Sequence, residues 1–285
     1  MIIFSSILTS IDVLISKLYQ KQNNSSILYG GLKFNFFVGL FSSIIFLIIN
    51  KFHIEFTLFS CISAVVMTAI AVIYIIIGFK ILDCGKAAHY TFFRMTGAMI
   101  VPYIWGLCFL NEKFSFMRII GLILIITAVF LVNSDRSNVN LKNILMYITV
   151  FFLAGCVSVI SKQHSISVNA VSPLGYVILT SFVKIILCGM LLLFLRKKEN
   201  RKLTTSEKNI FAPVYCALSA IITGIAYMIQ LICAKDMPAT VIYPVITGGT
   251  IIFSAIFARL AFKEKLSKKD ITAITICFVG TCMFL

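Results

Sequence analysis

Long apolar runs separated by short polar connections follow one another along the whole chain. Each run is apolar on every face of a helix and approaches the roughly 20 residues that a helix needs to cross the hydrocarbon core. Strands of a membrane barrel would be about ten residues long and would alternate in polarity, so the pattern predicts helices. The ten predicted spans are residues 2–18, 32–50, 56–79, 87–110, 116–133, 143–161, 173–195, 210–233, 238–261 and 270–285.

A polar stretch near the middle, residues 133–138, divides these spans into two sets of five. We therefore predict two five-helix repeats, residues 1–137 and residues 138–285. Because five is an odd number, the second repeat starts on the opposite side of the membrane and is inverted relative to the first. Inverted repeats of this kind place a substrate site near the midplane, between the two halves.

Short sequence echoes support the repeat. Residues 112–115, Glu-Lys-Phe-Ser, reappear as Glu-Lys-Leu-Ser at residues 264–267, an offset of 152 residues, before the last span of each half. Residues 14–17, Leu-Ile-Ser-Lys, are echoed by Val-Ile-Ser-Lys at residues 159–162, near the start of each half. Several echoes in the same order indicate duplication rather than chance.

These features resemble the drug/metabolite transporter superfamily, and in particular its ten-helix EamA-type members. The resemblance covers the whole chain, and its most specific parts are the two Glu-Lys-x-Ser turns and residues 237–244, Met-Pro-Ala-Thr…Pro, which are similar to the family pattern that opens the ninth helix. Residues 85–88, Gly-Lys-Ala-Ala, depart from that pattern because they lack the proline. The resemblance implies a secondary carrier of small metabolites, such as amino acids, and it does not name the substrate.

Composition excludes a soluble globular domain, since 60% of the 285 residues are apolar and only 12% are charged. The net charge of +15 is concentrated in the connections, with 17 Lys and Arg after odd-numbered spans and five after even-numbered spans. The positive-inside rule therefore places the odd connections in the cytoplasm and both termini outside. We expect a multi-pass protein of a prokaryotic plasma membrane that contacts the lipid bilayer and binds no nucleic acid. Residues 1–17 fit a retained first span rather than a signal peptide.

The nine cysteines are scattered singly and form no Cys/His cluster with metal-ligand spacing, so we expect no metal and no cofactor. The sequence leaves the oligomeric state open.

Asp12 is the one acidic residue that falls well within a predicted span. Burial disfavours the charged form of a carboxylate, so an acid in this position can take up and release a proton during transport. We predict a proton-coupling role for Asp12. The alternatives are a fixed ion pair with a neighbouring helix, or a position near the membrane surface if the first span starts later in the chain.

Arg94 lies inside the fourth span, next to Tyr90, and Lys184 lies near the centre of the seventh span. A guanidinium can hold a carboxylate or phosphate through two parallel hydrogen bonds, so Arg94 and Tyr90 are predicted substrate-binding residues. Lys184 is predicted to clamp an anion or to carry a proton. For Arg94 the alternative is structural pairing with Asp12 or with a backbone carbonyl.

The eighth and ninth spans carry further predicted substrate-binding residues, some of which share one helical face and should look toward a cavity or a partner helix rather than lipid. Packing between helices is the alternative role. These residues are Tyr227, Gln230, Tyr243, Thr247 and Thr250.

The two Glu-Lys-x-Ser turns are predicted to be structural. Ser115 and Ser267 are placed to cap the helix that follows, and Glu112 and Glu264 lie just before them. Gating is the alternative role for these turns.

The predicted function is secondary active transport, with export of small metabolites by alternating access and proton coupling. A membrane-embedded enzyme would need a nucleophile with its base, a metal cluster or paired carboxylates, and the sequence has no HExxH or GxSxG motif and no second intramembrane acid. We therefore predict that the protein is not an enzyme. A non-transporting partner or sensor subunit stays open, and a tightly packed centre without accessible polar residues would favour it.

Overall fold

A computed structural model describes residues 1–22, 27–83, 87–133, 141–199, 212–262 and 268–284. Within these ranges the chain forms ten helices and no strand, as the sequence predicts. The helices are α1 (Ile2–Gln22), α2 (Ile27–Ile49), α3 (Leu58–Asp83), α4 (Ala87–Phe109), α5 (Phe116–Asn133), α6 (Leu141–Ile166), α7 (Pro173–Glu199), α8 (Ala212–Asp236), α9 (Ala239–Phe262) and α10 (Lys268–Cys282).

Among the described helices, eight are long and apolar enough to cross a membrane. The other two, α5 and α10, carry shorter apolar stretches, Phe116–Leu131 and Ile271–Cys282. Large hydrophobic side chains such as Ile48, Leu145 and Phe194 are exposed on the outside of the bundle. Lipid is the solvent that suits such a surface, and helices satisfy their own backbone groups within it. The protein is therefore an integral, multi-pass membrane protein.

Several helices continue beyond the apolar runs that predicted them. The second helix begins at Ile27 rather than residue 32, and the sixth ends at Ile166 rather than residue 161. Hydropathy marks only the part of a helix that lies in hydrocarbon, whereas backbone hydrogen bonding continues through the polar residues at its ends. The charge count is wrong for some residues that it assigns to connections after even-numbered spans. Arg118 lies within α5, Lys235 lies within α8, and Lys162 lies within α6 and is buried.

The starts of α3 and α7 carry their own capping residues. The Ser60 amide donates to Thr57 Oγ1 at 3.2 Å, and the Gly175 amide donates to Ser172 Oγ at 3.1 Å. Pro173 follows Ser172 as the first helical residue of α7, where a missing N–H costs nothing. These local signals explain why both helices begin where they do.

The most extensive helix contacts join the two halves of the chain. Helix α1 packs against α8 and α9, and α6 packs against α3 and α4. Helix α2 packs against α7, α5 against α10, and α4 against α9. A polar group on α1, α4, α7 or α8 therefore faces side chains from the opposite half.

The connections after even-numbered helices meet at one end of the bundle. Thr57 Oγ1, in the α2–α3 connection, donates to the carbonyl of Asn169, in the α6–α7 connection, at 2.8 Å. We call this end the even face and the opposite end, where odd-numbered helices finish, the odd face. The even-face connections are residues 50–57, 110–115, 167–172 and 237–238.

Close packing of α4 on α6 depends on Gly97. A Cβ added at Gly97 would collide with the backbone of Phe151 on α6. We expect Gly97→Ala to lower the free energy of unfolding by about 1–3 kcal/mol, because backbone cannot move aside as a side chain can. The midpoint of thermal unfolding in detergent measures this loss.

The matched control for Gly97 is Gly189→Ala on α7, where the added Cβ would meet only the ring of Phe36, at 3.2 Å. A side chain of this kind can turn, so the midpoint should change little. Equal midpoints for the two variants would contradict the close approach of α4 and α6.

Candidate functional site

Four helices bring ionisable side chains together inside the bundle. Asp12 on α1 accepts a hydrogen bond at Oδ1 from Ser219 Oγ on α8. Lys184 on α7 and Arg94 on α4 both interact electrostatically with Asp12. We call Asp12, Tyr90, Arg94, Lys184 and Ser219 the central charged cluster.

Arg94 is solvent-exposed even though it lies inside a membrane-spanning helix. Its backbone lies about 10 Å along α4 from the odd-face end of that helix, since each helical residue rises about 1.5 Å. Tyr90, one turn earlier, hydrogen-bonds to its guanidinium, and Tyr74 on α3 lies nearby. Asp12 on α1 also interacts electrostatically with this guanidinium.

Gly78 on α3 allows Tyr90 to take this position. A Cβ at Gly78 would overlap the ring of Tyr90, so only a glycine lets the ring lie directly against α3. The ring then packs beside the buried Ile81 and Tyr147. Tyr90 is thereby held on the side of α4 that also carries Arg94.

Lys184 is half-buried in the middle of α7, one turn before Cys188. Asp12 is the acidic group that interacts with it in the described part of the chain. The cluster therefore contains two cations and one carboxylate. Its net charge is positive, and this favours an anionic ligand.

Tyr227 and Tyr243 form a second polar layer, closer to the even face. Tyr227 lies two turns beyond Ser219 on α8, about 12 Å toward the even face. Its hydroxyl lies 3.2 Å from Ser161 Oγ on α6 and 3.3 Å from Met67 Sδ on α3. Tyr243 Oη donates to the Ser158 carbonyl on α6 at 2.6 Å. We call these two residues the tyrosine layer.

Gln230 joins α8 to α1. Its Nε2 lies 3.0 Å from Ser5 Oγ and 3.4 Å from Thr9 Oγ1. Thr9 lies one turn before Asp12 on α1, so Gln230 extends the polar interior from the central charged cluster toward the even face.

The polar side chains predicted to share one face of α9 do not point into one common cavity. Thr250 is buried, its hydroxyl donates to the Ile246 carbonyl at 2.7 Å, and its own carbonyl accepts from Ser10 Oγ at 3.1 Å. Tyr243 instead reaches α6, and Thr247 is half-buried. Helix packing, the alternative role, therefore describes the surroundings of Thr250.

The first Glu-Lys-x-Ser turn makes a long-range contact that spacing alone does not reveal. Ser115 immediately precedes α5 and its carbonyl accepts from the Ile119 amide, as a capping position should. Glu112 reaches away from this turn and binds the amides of Ala239 and Thr240 at the start of α9. The corresponding Glu264 and Ser267 lie outside the described residues.

Two bonded residues were missed as functional candidates by sequence reasoning. Lys162 donates to the Ala234 and Met237 carbonyls, and Glu55 binds Ser172. The echo of residues 14–17 in residues 159–162 was the one available signal for Lys162, and Glu55 carried none. The position of His164 near a span end favours solvation at the membrane surface, with proton handling as the alternative, but its ring is buried and stacks on Tyr176, with ring centroids 3.5 Å apart.

A cavity of about 640 Å³ opens at the even face, between the α6–α7 connection and the end of α8. His164, Leu231, Lys235 and Asp236 are among the residues that line it. Lys235 and Asp236 are exposed, so the cavity is a vestibule rather than a desolvated site. In the described part of the chain, no three His, Cys, Asp or Glu side chains converge as a metal site.

Comparison with known proteins places this geometry in context. A model of the EamA-like transporter family matches residues 141–285, which is just over half of the chain. A solved crystal structure superimposes with a TM-score of 0.77 over 99% of this chain and 94% of that chain, at 12% sequence identity. At this identity the likeness shows the fold alone. No curated protein matches the sequence.

Proposed function

Because the chain belongs to the EamA-like transporter family, part of the drug/metabolite transporter superfamily, we propose that it is a secondary active transporter that exports small metabolites by alternating access. Amino acids or related organic compounds are the proposed substrates, and protons are the proposed coupling ion. The membrane is the plasma membrane of a prokaryotic cell. We assign the protein no enzymatic step and no cofactor.

The central charged cluster is the observation that carries this proposal. It combines residues of α1 and α4 with residues of α7 and α8, so both halves of the chain contribute to it. A tightly packed apolar centre would favour a partner or sensor subunit. Charged side chains from both halves within the spans favour a carrier over that alternative.

The proposed architecture is two inverted repeats, residues 1–137 and residues 138–285. The helix contacts support it. In the proposed repeat, α1 corresponds to α6, α3 to α8 and α4 to α9. The packing of α1 on α8 and α9 then corresponds to the packing of α6 on α3 and α4, and both sets of contacts are present. Gly97 and Gly249, which are 152 residues apart, lie at equivalent interfaces. Gly97 packs on α6, and a Cβ at Gly249 would lie 2.7 Å from Ser6 Oγ on α1. The family match begins at residue 141, close to the proposed boundary.

The roles of the site residues follow from their surroundings. Arg94 and Tyr90 bind the anionic group of the substrate, with Lys184 contributing positive charge. Asp12 exchanges its proton for substrate. The route from the central charged cluster toward the even face is lined by Tyr227, Gln230, Tyr243 and Thr247. Thr250 supports this route by packing α9 on α1.

Transport by the purified protein tests the proposal. A thermal-shift screen of amino acids, organic acids and nucleosides identifies the compound that stabilises the protein most, by mass action on the folded state. That compound, radiolabelled, should enter proteoliposomes preloaded with the same unlabelled compound, and the uptake should saturate. Empty liposomes are the control. Uptake no faster than in empty liposomes for every stabilising compound would contradict a carrier function.

The proposed orientation places the odd face in the cytoplasm, since the connections on that face carry most of the Lys and Arg. In a background without native cysteines, Lys198→Cys should react with a membrane-impermeant maleimide in inverted vesicles and not in intact cells. Val168→Cys, on the even face and 99% exposed, is the matched control and should react in intact cells. The reverse labelling pattern would show that the orientation is wrong.

A further inference from the structure

Two ionic groups, the half-buried Glu112 and the buried Lys162, hold the α8–α9 connection from opposite sides. Glu112 comes from the α4–α5 connection, in the first half of the chain, and Lys162 comes from α6. Each of them binds main-chain atoms at a helix end rather than an oppositely charged side chain, in the contacts that the structure describes. We call this pair the even-face clamp.

Glu112 caps the start of α9. Its Oε1 accepts from the Ala239 amide at 2.6 Å, and its Oε2 accepts from the Thr240 amide at 2.8 Å. The first amides of a helix have no partner within the helix and carry partial positive charge, so a carboxylate binds them well. Gly106 leaves room for this carboxylate, because a Cβ there would lie 2.6 Å from Glu112 Oε2.

Lys162 caps the end of α8. Its Nζ donates to the Ala234 carbonyl at 2.5 Å and to the Met237 carbonyl at 2.7 Å, and the residue is 4% exposed. The last carbonyls of a helix carry partial negative charge, which complements the ammonium group. The connection between α8 and α9 thus has a cation on its incoming helix and an anion on its outgoing helix.

The clamp lies on the even-face side of the tyrosine layer. Ser161, which contacts the Tyr227 hydroxyl, is the residue next to Lys162. A similar contact closes the neighbouring part of the even face, where Glu55 accepts from the Ser172 amide and hydroxyl, both at 2.6 Å. These contacts tie connections of the first half to helix starts of the second half. At the even face, the two halves are therefore joined by hydrogen bonds from Glu55 and Glu112.

We propose that Glu112 is the releasable part of this clamp: its bonds to α9 hold the two halves together at the even face and set the balance between the two conformations of the transport cycle, while Lys162 positions the α8–α9 connection within the second half. The inference rests on the proposed alternating access. Rocking of the halves that opens the even face must separate α9 from the α4–α5 connection, and this breaks both Glu112 hydrogen bonds. Both residues are positioning residues, since neither contacts the proposed substrate site.

Spin-label distances across the even face test the clamp without any substrate. Labels are attached to Phe116→Cys, in the first half, and Val168→Cys, in the second, in a background without native cysteines; the native side chains are 70% and 99% exposed. Glu112→Gln should raise the fraction of molecules with the longer distance by about tenfold, because it loses charge-assisted hydrogen bonds between the halves. Lys162→Met should raise this fraction less, because the contacts of Lys162 lie within the second half and only position the amides that Glu112 binds. Lys113→Gln, which removes an exposed neighbouring charge, is the matched control and should leave the distances unchanged.

The distance distributions separate failure of the clamp from failure of the transport proposal. Distances in Glu112→Gln identical to those of the parent protein, in folded samples, would overturn the clamp and leave the carrier proposal standing. A lower unfolding midpoint with unchanged distances would give Glu112 a purely structural role and would overturn the clamp as well. If Lys162→Met fails to fold, Glu112→Gln carries the test, because its amide oxygen still accepts one of the two hydrogen bonds.

Discussion

Replacing Asp12 with Asn should abolish accumulation of substrate driven by a pH gradient while leaving substrate exchange intact. The amide has the shape of the carboxylic acid and can still accept from Ser219, but it binds no proton at working pH. Exchange of substrate for substrate needs no proton and requires only that the two conformations interconvert. Loss of accumulation with retained exchange is therefore the expected signature of a coupling residue.

The size of this effect follows from the gradient. One proton exchanged per substrate across two pH units supports about 100-fold accumulation, since each unit is worth about 1.4 kcal/mol. Proteoliposomes with the membrane potential clamped by potassium and valinomycin measure this ratio for the compound selected in the thermal-shift screen. The wild-type protein should approach that limit, and Asp12→Asn should equilibrate at a ratio of one. Equal accumulation by both proteins would show that Asp12 does not couple transport to protons.

The structural alternative for Asp12 is charge compensation of Lys184, and a double variant separates the two roles. If Asp12 compensates the charge of Lys184, removing either group leaves the other uncompensated, whereas removing both groups costs less. If Asp12 only compensates charge, Asp12→Asn combined with Lys184→Met should restore both stability and accumulation. If Asp12 carries the proton, the double variant should recover thermal stability and still fail to accumulate substrate.

The helices could be predicted closely because lipid imposes a strong and local constraint. A span must be apolar over its whole length, and this pattern is visible without tertiary contacts. Hydropathy could not predict helix boundaries such as Ile27 and Ile166, because polar residues continue a helix beyond the hydrocarbon core. Asp12, Arg94 and Lys184 could be selected for the same reason, since a charge in hydrocarbon is costly and needs a function or a partner.

The contacts between these residues could not be predicted, because they depend on which helices are neighbours. In the sequence, nothing distinguishes Ser219 from the other small residues of α8. Only the packing of α8 against α1 brings its hydroxyl to Asp12. Glu112 likewise reads as part of a local turn, and its partners are the amides of α9, more than 120 residues away in sequence. Helical periodicity grouped Tyr243 with Thr250, but the Tyr243 hydroxyl bonds to α6, whereas the Thr250 hydroxyl bonds to the Ile246 carbonyl of its own helix.

Replacing Arg94 with Lys should weaken binding of an anionic substrate by about tenfold, and Arg94→Gln should weaken it by about 100-fold. Lysine keeps the charge and loses the planar fork that donates two parallel hydrogen bonds to a carboxylate. A hydrogen bond to a charged group is worth about 1.5–3 kcal/mol, which corresponds to these factors. Titration calorimetry in detergent, with the amino acid or organic acid selected in the screen, measures the affinity.

Two comparisons make the Arg94 result specific. Lys80→Gln removes an exposed cation at the odd-face end of α3 and should leave the affinity unchanged, so a general effect of positive charge would be visible. The amide of the same compound lacks the negative charge and should bind the wild-type protein and Arg94→Lys with similar affinity. Arg94 interacts with Tyr90 and Asp12 as well, so unchanged binding of the carboxylate compound by Arg94→Lys would assign its guanidinium to holding α4 against α1.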